Sequence, residues 1–118
     1  MLVAADRNDR RIWAEHKVRL ELGIVPAVST PVVAQVSRSP RQAQLRRFLA
    51  GCEVVPFGER EAHEAGQLLG RTRTADIVDA AVVATAALLN KTVIVTGDPE
   101  NIKRLVKTCG RDVAVVGA

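Results

Sequence analysis

The chain has 118 residues, of which 47% are hydrophobic and 25% are charged, values typical of one globular domain with a modest core. Its formal net charge of +4 permits a polyanionic partner such as a nucleic acid without requiring one, because net charge governs attraction rather than specificity. No apolar run approaches the roughly 20 residues of a membrane span, and the start of the chain is too charged for a signal peptide, so we expect a cytoplasmic protein without a membrane segment.

Nothing in the composition divides the chain, since no repeat, low-complexity tract or linker interrupts it. We therefore expect a single domain over residues 1–118. The two cysteines, Cys52 and Cys109, are far apart and fit no metal-binding spacing. Buried free thiols are the expected state of both.

The first predicted element is a helix over residues 1–22, in which apolar residues are interleaved with charged ones. Gly23 follows it, and glycine commonly ends helices. We expect Trp13 to act as a packing anchor rather than as a platform that stacks on bases. His16 is expected on the solvated face of the same helix.

A strand is predicted over residues 24–28, and a helix follows it directly. Ser29 or Thr30 can cap this helix, with Pro31 in the first helical position. Gln35 lies within the helix, and a neutral polar residue on a helix surface is one interpretation of it.

A basic segment without an acidic residue then runs from Ser37 to Arg47. It overlaps a helix predicted over residues 40–50, in which Phe48 faces the core. Two interpretations stay open, because the arginines could form a solvated helix face or a rim that contacts phosphates. The arginines concerned are Arg38, Arg41, Arg46 and Arg47.

A strand over residues 52–57 and an amphipathic helix over residues 59–70 come next. His63 has no partner of metal-ligand type at helical spacing, so we expect it at the surface. The loop that follows carries Arg71 and Arg73. These two arginines could pair with a carboxylate, bind phosphate or simply be solvated.

The most informative segment begins at Thr74, the predicted N-cap of a helix that is apolar on nearly every side and therefore buried. Asp76 and Asp79 lie in its opening turns, three residues apart and so on one face. Asp76 alone could simply offset the helix dipole. Asp79 lies past the first turn among apolar residues, where an unpaired carboxylate is costly, so it needs a partner or a cation.

A short β-branched run over residues 92–96 predicts a buried strand. It ends just before Asp98, at the kind of position where open α/β sheets bind ligands. Asp98 could instead only cap a helix that begins at Pro99. Taken together, Asp76, Asp79 and Asp98 predict carboxylates that converge on a hard divalent cation such as Mg²⁺ or Mn²⁺.

The chain closes with a basic helix over residues 99–107 and a last strand over residues 112–116, expected at a sheet edge. The regular alternation of strands and helices predicts an α/β fold. Its sheet should be mostly parallel and covered by helices on both faces.

Two stretches carry a resemblance to a known family: the helix that opens at Asp79 as DAAVVATA, and the segment TGDPENI at residues 96–102 after the hydrophobic strand. They resemble the C-terminal half of a PIN-domain ribonuclease, and in particular the VapC toxins of bacterial toxin–antitoxin pairs. The resemblance implies a PIN-like three-layer α/β/α sandwich. It also implies a Mg²⁺-dependent endoribonuclease, with Mn²⁺ as the other suitable ion, that cuts RNA, is opposed by a cognate antitoxin protein and is often homodimeric.

The resemblance also implies roles for individual residues. Asp79 and Asp98 would hold the metal, and Asp76 would help directly or through a water molecule. Thr96 would position a carboxylate or the attacking water. These four residues are the predicted catalytic set, and the three aspartates are the predicted metal ligands.

Two departures from the family pattern favour another interpretation. PIN domains open with a central strand that ends in a catalytic Asp, whereas residues 2–11 resemble the segment after that strand, so we expect the strand and its Asp to be absent. Asp6 and Asp9 are interpreted as surface charges. Gln35 stands where the family has a metal-site Glu, and an amide brings no charge and cannot act as a base.

The alternative is therefore a catalytically degenerate PIN domain that binds an antitoxin or RNA without cutting. A third hypothesis is a regulatory domain of the receiver type with a phosphorylated Asp. The lack of a carboxylate at the end of a first strand counts against it.

Overall fold

Seven helices and four short strands form the part of the chain that the computed structural model describes, residues 1–117. All the strand pairs are parallel, as the alternation of elements predicts. The chain divides into two units, Met1–Val55 and a second that begins at Pro56, and each contains one two-stranded sheet. Within residues 1–117 no helix has the length and apolar character needed to cross a bilayer.

The first unit is built around one pair of strands and four helices. Its elements are α1 (Leu2–Asp6), α2 (Arg10–Glu21), β1 (Ala27–Ser29), α3 (Thr30–Val36), α4 (Ala43–Ala50) and β2 (Glu53–Val55). Strands β1 and β2 pair in a register that sets Val28 opposite Val54. Phe48 and Leu45 of α4 lie at the centre of the core, as predicted for Phe48, together with apolar residues of α1 and α2.

The single helix predicted over residues 1–22 is wrong, because the chain breaks it between Asp6 and Arg10. Asn8 adopts a left-handed backbone conformation with φ of 60°, which Asn tolerates better than most residues. Asp9 then restarts the helix, since its Oδ1 accepts hydrogen bonds from the backbone N–H groups of Arg11 and Ile12. The local competition of Asn and Asp side chains with helix hydrogen bonding explains the break.

The prediction of a solvated His16 is also wrong, since this side chain is only 3% exposed. Its ring stacks on Phe48 with centroids 3.9 Å apart. Burial, together with the positive charge of Arg19, lowers the pKa of His16, and the carbonyl of Phe48 opposes the shift. Trp13 is the predicted packing anchor: it meets Phe48 edge to face and donates its indole N–H to the carbonyl of Ala5.

The second unit contains the remaining elements. They are α5 (Glu59–Thr72), α6 (Ile77–Leu88), β3 (Val93–Thr96), α7 (Pro99–Cys109) and β4 (Ala114–Gly117). Strands β3 and β4 pair in a register that sets Ile94 opposite Val115. Helix α6 is largely buried, as its all-round apolar sequence predicts, and small residues such as Ala80 and Ala84 let α5 and α7 pack closely on it.

Helix α6 starts later than predicted, because Asp76 and not Thr74 is its N-cap. The carboxylate of Asp76 accepts a hydrogen bond from the backbone N–H of Asp79. The hydroxyl of Thr74 bonds instead to that of Thr72 at the end of α5. A carboxylate at an N-cap gains both a hydrogen bond and the favourable helix dipole, so it competes well with a threonine two residues earlier.

The prediction of a fully buried strand at β3 is wrong, because only Ile94 of its four residues is buried. Ile94 is 5% exposed, whereas Val93 is 52% and Val95 is 39% exposed. Successive side chains of a strand point to opposite faces. Only the face that carries Ile94 is covered, because that side chain joins the core formed by α5, α6 and α7.

Candidate functional site

The three predicted carboxylates lie where α6 and α7 begin. Asp76 caps α6, Asp79 is in the first turn of α6, and Asp98 caps α7 directly after β3. Helices α6 and α7 pack against each other, and β3 contacts both. All three groups therefore belong to the second unit, at the carboxyl end of a parallel strand, the position that sequence reasoning assigns to a ligand site.

Asn101 in the first turn of α7 connects two of these carboxylates. Its side-chain Nδ2 donates a hydrogen bond of 2.6 Å to Oδ2 of Asp79, and its backbone N–H donates a long bond of 3.5 Å to Oδ1 of Asp98. One residue thus contacts a carboxylate on α6 and a carboxylate at the end of β3. Both acceptors are carboxylates, so the shorter distance makes the first of these bonds the stronger one.

Asp79 lies in an unfavourable place for a charge. Partial burial raises its pKa, the hydrogen bond from Asn101 lowers it, and the negative charges of Asp76 and Asp98 raise it further. The net direction is upward. A cation beside Asp79 would offset the repulsion from the other two carboxylates.

Each carboxylate keeps one oxygen available. One oxygen of Asp76, Asp79 and Asp98 accepts a hydrogen bond from a protein N–H. Within residues 1–117 no N–H group of the protein donates to the second oxygen of these carboxylates, and the carboxyl groups of Asp76 and Asp79 contact each other. A carboxylate that uses one oxygen for its orientation can offer the other to a ligand, so the arrangement suits cation binding, although the hydrogen bond of Asp76 also fits a purely structural cap.

The role implied for Thr96 takes a different form in the structure. Its hydroxyl oxygen accepts a hydrogen bond of 3.0 Å from the backbone N–H of Asp98. This contact fixes the turn between β3 and α7 and so sets the direction in which Asp98 leaves the strand. Thr96 positions the backbone of a carboxylate residue rather than the carboxylate itself.

The donor set agrees with a weakly held hard cation. Carboxylate oxygens are the ligands that Mg²⁺ prefers, and Mg²⁺ usually keeps several waters while one or two carboxylates and a substrate phosphate hold it. In the described chain no three His, Cys, Asp or Glu side chains converge closely enough to hold a metal ion. The predicted convergence of Asp76, Asp79 and Asp98 on one ion is therefore not seen in the described residues, and an ion held by Asp79 and Asp98 would need water and substrate to complete its ligands.

Gln35, the predicted degenerate position, is exposed on α3 of the first unit. Asp76, Asp79 and Asp98 belong to the second unit.

The arginines of the basic segment are exposed, but three of them make local contacts. Arg38 donates to the carbonyl of Ala34 and Arg46 to that of Pro40. Arg47 donates to the side chain of Gln44 and lies 5.5 Å from the centre of the Trp13 ring. These contacts favour the solvated-face interpretation for Arg47 in particular, because its cation already covers an aromatic ring.

The other three predicted RNA-contacting arginines are exposed and belong to different elements. Arg41 precedes α4, Arg71 is in the last turn of α5, and Arg73 caps α5 in a left-handed conformation with φ of 56°. Within residues 1–117 none of the three forms a salt bridge. Arg71 and Arg73 lie on the segment that leads into α6, a few residues before Asp76.

The placement of these carboxylates agrees with the match of the sequence to a protein-family model. The PIN domain family model matches residues 2–107, which is most of the sequence. The chain belongs to the PIN-domain family. No curated protein matches the chain. PIN domains are in general nucleases that act on RNA or DNA and depend on divalent metal ions, which agrees with carboxylates placed at the start of α6 and α7 in this PIN domain.

Sequence reasoning missed Asn101 as part of this site. The residue stands inside the TGDPENI segment that carries the resemblance, but its role depends on which residue of α6 it reaches. Its position three residues after Asp98 predicts a place in the first turn of a capped helix. Nothing in the spacing predicts that its side chain contacts Asp79, which precedes it by 22 residues.

Proposed function

We propose that this PIN domain is a Mg²⁺-dependent endoribonuclease toxin of the VapC type, opposed by a cognate antitoxin protein. The observation that carries the proposal is the junction at Asn101, which joins a half-buried carboxylate on α6 to the carboxylate that follows β3. A structural role for Asp79 would place it where its charge is well stabilised. Instead partial burial, together with the negative charges of Asp76 and Asp98, raises its pKa, and perturbed pKa values of this kind are common in functional sites.

In the proposed mechanism Asp79 and Asp98 would hold the ion through their carboxylates, and Asp76 would help directly or through a water molecule. When bound, Mg²⁺ or Mn²⁺ supplies an activated water and offsets negative charge on the phosphate under attack. Thr96 keeps Asp98 in place through its backbone N–H. The exposed Arg71 and Arg73 are suited to the backbone phosphates of the RNA on either side of the cut.

The proposed partners follow from this activity. An RNA substrate implies action in the cytoplasm, and a toxin that cuts cellular RNA requires an antitoxin to restrain it.

The second candidate is a degenerate PIN domain that binds RNA or an antitoxin without cutting. Two observations favour it: Gln35 cannot supply the charge of the family's Glu, and the described chain offers no convergent group of three metal-ligating side chains. The two candidates share a fold and a surface, so only an assay of bond cleavage separates them.

The test is cleavage of a mixed-sequence single-stranded RNA with Mg²⁺ or Mn²⁺ by the unsubstituted chain, by Asp79→Asn and by a control, Asp112→Asn. Asp112 is an exposed aspartate of the same unit. We expect Asp79→Asn to lose more than about 100-fold in rate, beyond the range of changes outside the metal's direct ligands, and the control to keep full activity.

Equal cleavage by the unsubstituted chain and Asp79→Asn would remove Asp79 from the site. RNA that stays intact but bound in all three reactions would establish the binding module in place of the enzyme.

A further inference from the structure

We propose that Asn101 is a positioning residue that holds Asp79 and Asp98 as a metal-binding pair. The inference rests on the proposed nuclease function and adds to it a residue that would not touch the metal or the RNA. Its basis is the hydrogen bond of 2.6 Å that the side-chain amide of Asn101 donates to Asp79. Asn101 makes this bond from the first turn of α7, where its backbone N–H also donates the long cap bond of 3.5 Å to Asp98.

The chemistry of the side chain suits this role. A carboxylate that is half-buried needs a donor on one oxygen to keep a fixed orientation, and Asn can supply two N–H groups without adding charge. An Asp in place of Asn101 would add a negative charge. Its carboxylate oxygens would face those of Asp79, and neither group could donate a hydrogen bond to the other. A Lys would compete with the metal for the carboxylate. A neutral amide donor orients Asp79 and leaves its second oxygen available.

The preference of amino acids for helices does not explain why position 101 is an Asn. Asn is a poor helix former, and the N-cap of α7 is already supplied by Asp98. Asn101 is half-buried in the first turn of α7, and its side chain makes a hydrogen bond of 2.6 Å to another helix rather than to its own backbone. Hydrogen bonds from outside the ligand set commonly orient metal ligands, and their removal typically lowers metal affinity or activity about 10- to 100-fold.

The first experiment measures Mn²⁺ binding from the free-ion signal in electron paramagnetic resonance, beside RNA cleavage. It compares the unsubstituted chain with Asn101→Leu, which keeps the branched shape and removes the donors. The matched control is Thr108→Val, which removes a side-chain hydrogen bond near the other end of α7. We expect Asn101→Leu to bind Mn²⁺ about 10-fold or more weakly, with a melting temperature without metal within a few degrees of that of Thr108→Val.

Asn101→Asp separates a positioning role from direct ligation. If Asn101 positions Asp79, then Asn101→Asp also loses affinity for Mn²⁺, because it removes the donor and repels Asp79. If Asn101→Asp binds Mn²⁺ as tightly as the unsubstituted chain or more tightly, position 101 is a ligand position and the proposal is wrong. Unchanged affinity in Asn101→Leu would overturn it as well.

A metal-free measurement keeps the proposal testable if Asn101→Leu does not fold. The side-chain amide protons of Asn101 are followed by NMR in the unsubstituted chain and in Asp79→Ala. We expect one of them to resonate downfield and to move back when Asp79 is truncated. A resonance that does not respond would show that the contact is absent, even if the chain cleaves RNA. Failure of the proposed function gives a different result, since the unsubstituted chain would then bind no Mn²⁺ and cut no RNA while the amide still responds to Asp79.

Discussion

In the two units of this PIN domain, burial shifts the pKa of a titratable side chain in opposite directions. In the first unit His16 is buried against aromatic rings, and burial lowers its pKa, so the neutral form that packs well is also the form present at neutral pH. In the second unit burial raises the pKa of Asp79, and two further carboxylates act in the same direction. Its charged form is the one that the environment disfavours.

This difference is what we expect between a residue that serves the fold and one in the proposed metal site. A group that serves the fold is placed where its ordinary protonation state is stable, as His16 is. A group held in an unfavourable electrostatic environment has a cost to the fold, and such costs are commonly retained where a site needs them for binding or catalysis. The comparison gives measurable consequences, which differ in sign between the two units.

The largest expected effect concerns the aromatic centre of the first unit. Phe48 is fully buried and contacts both Trp13 and His16. We expect Phe48→Ala to lower the free energy of unfolding by about 3–5 kcal/mol, measured by urea denaturation. The exposed Val25→Ala in the same unit serves as control, with a change below about 0.5 kcal/mol. A loss below about 1 kcal/mol for Phe48→Ala would mean that these rings do not form the core.

A smaller effect is expected at Asp79, where a substitution should raise the free energy of unfolding at neutral pH rather than lower it. Because its folded pKa lies above its unfolded value of 3.8, the unfolded chain releases this proton first, and stability falls as the pH rises from that value through the folded pKa. Asp79→Asn removes this loss, so without metal it should raise the urea midpoint at pH 7 and leave little difference at pH 3.5. The control Asp112→Asn should not stabilise the chain at pH 7. A destabilised Asp79→Asn would mean that its charge supports the fold.

The smallest expected effect is the acid sensitivity of the first unit. Because the folded pKa of His16 lies below its unfolded value of 6.5, its contribution to stability is fully present above pH 6.5 and declines as the pH falls toward the folded pKa. His16→Phe keeps an aromatic ring against Phe48 and should lose less stability between pH 7 and pH 5 than the unsubstituted chain. His63→Gln, at an exposed position, should keep the original dependence. If His16→Phe keeps the same decline, the acid sensitivity comes from another group.

The agreement between sequence and structure depends on how local each feature is. The cap at Asp98, the Pro after it and the buried helix α6 follow from neighbouring residues, so the sequence predicts them well. The helix break at Asn8 was missed because no Gly or Pro marks it; two short polar residues, Asn8 and Asp9, make it instead. His16 was misplaced because its burial depends on Phe48, a residue of another helix.

The candidate site follows the same rule. Asp79 is recognisable from the sequence, because a carboxylate among apolar residues past the first helical turn needs a partner or a cation, whereas Asp76 and Asp98 also fit ordinary helix caps. The segments that begin at Asp79 and at Thr96 carry the resemblance to the PIN-domain family. Which oxygen of each carboxylate stays available is not readable in this way, because it depends on hydrogen bonds that cross between elements.

The sequence by itself therefore determined the family and the parallel pairing of the strands, since these depend on local pattern, and it supplied the carboxylates of the candidate site as a prediction. Only the tertiary structure decided that Asn101 joins Asp79 to Asp98 and that His16 is a core residue. The physical reason is that burial and side-chain hydrogen bonding belong to pairs of residues brought together by packing, and no single position along the chain carries that information.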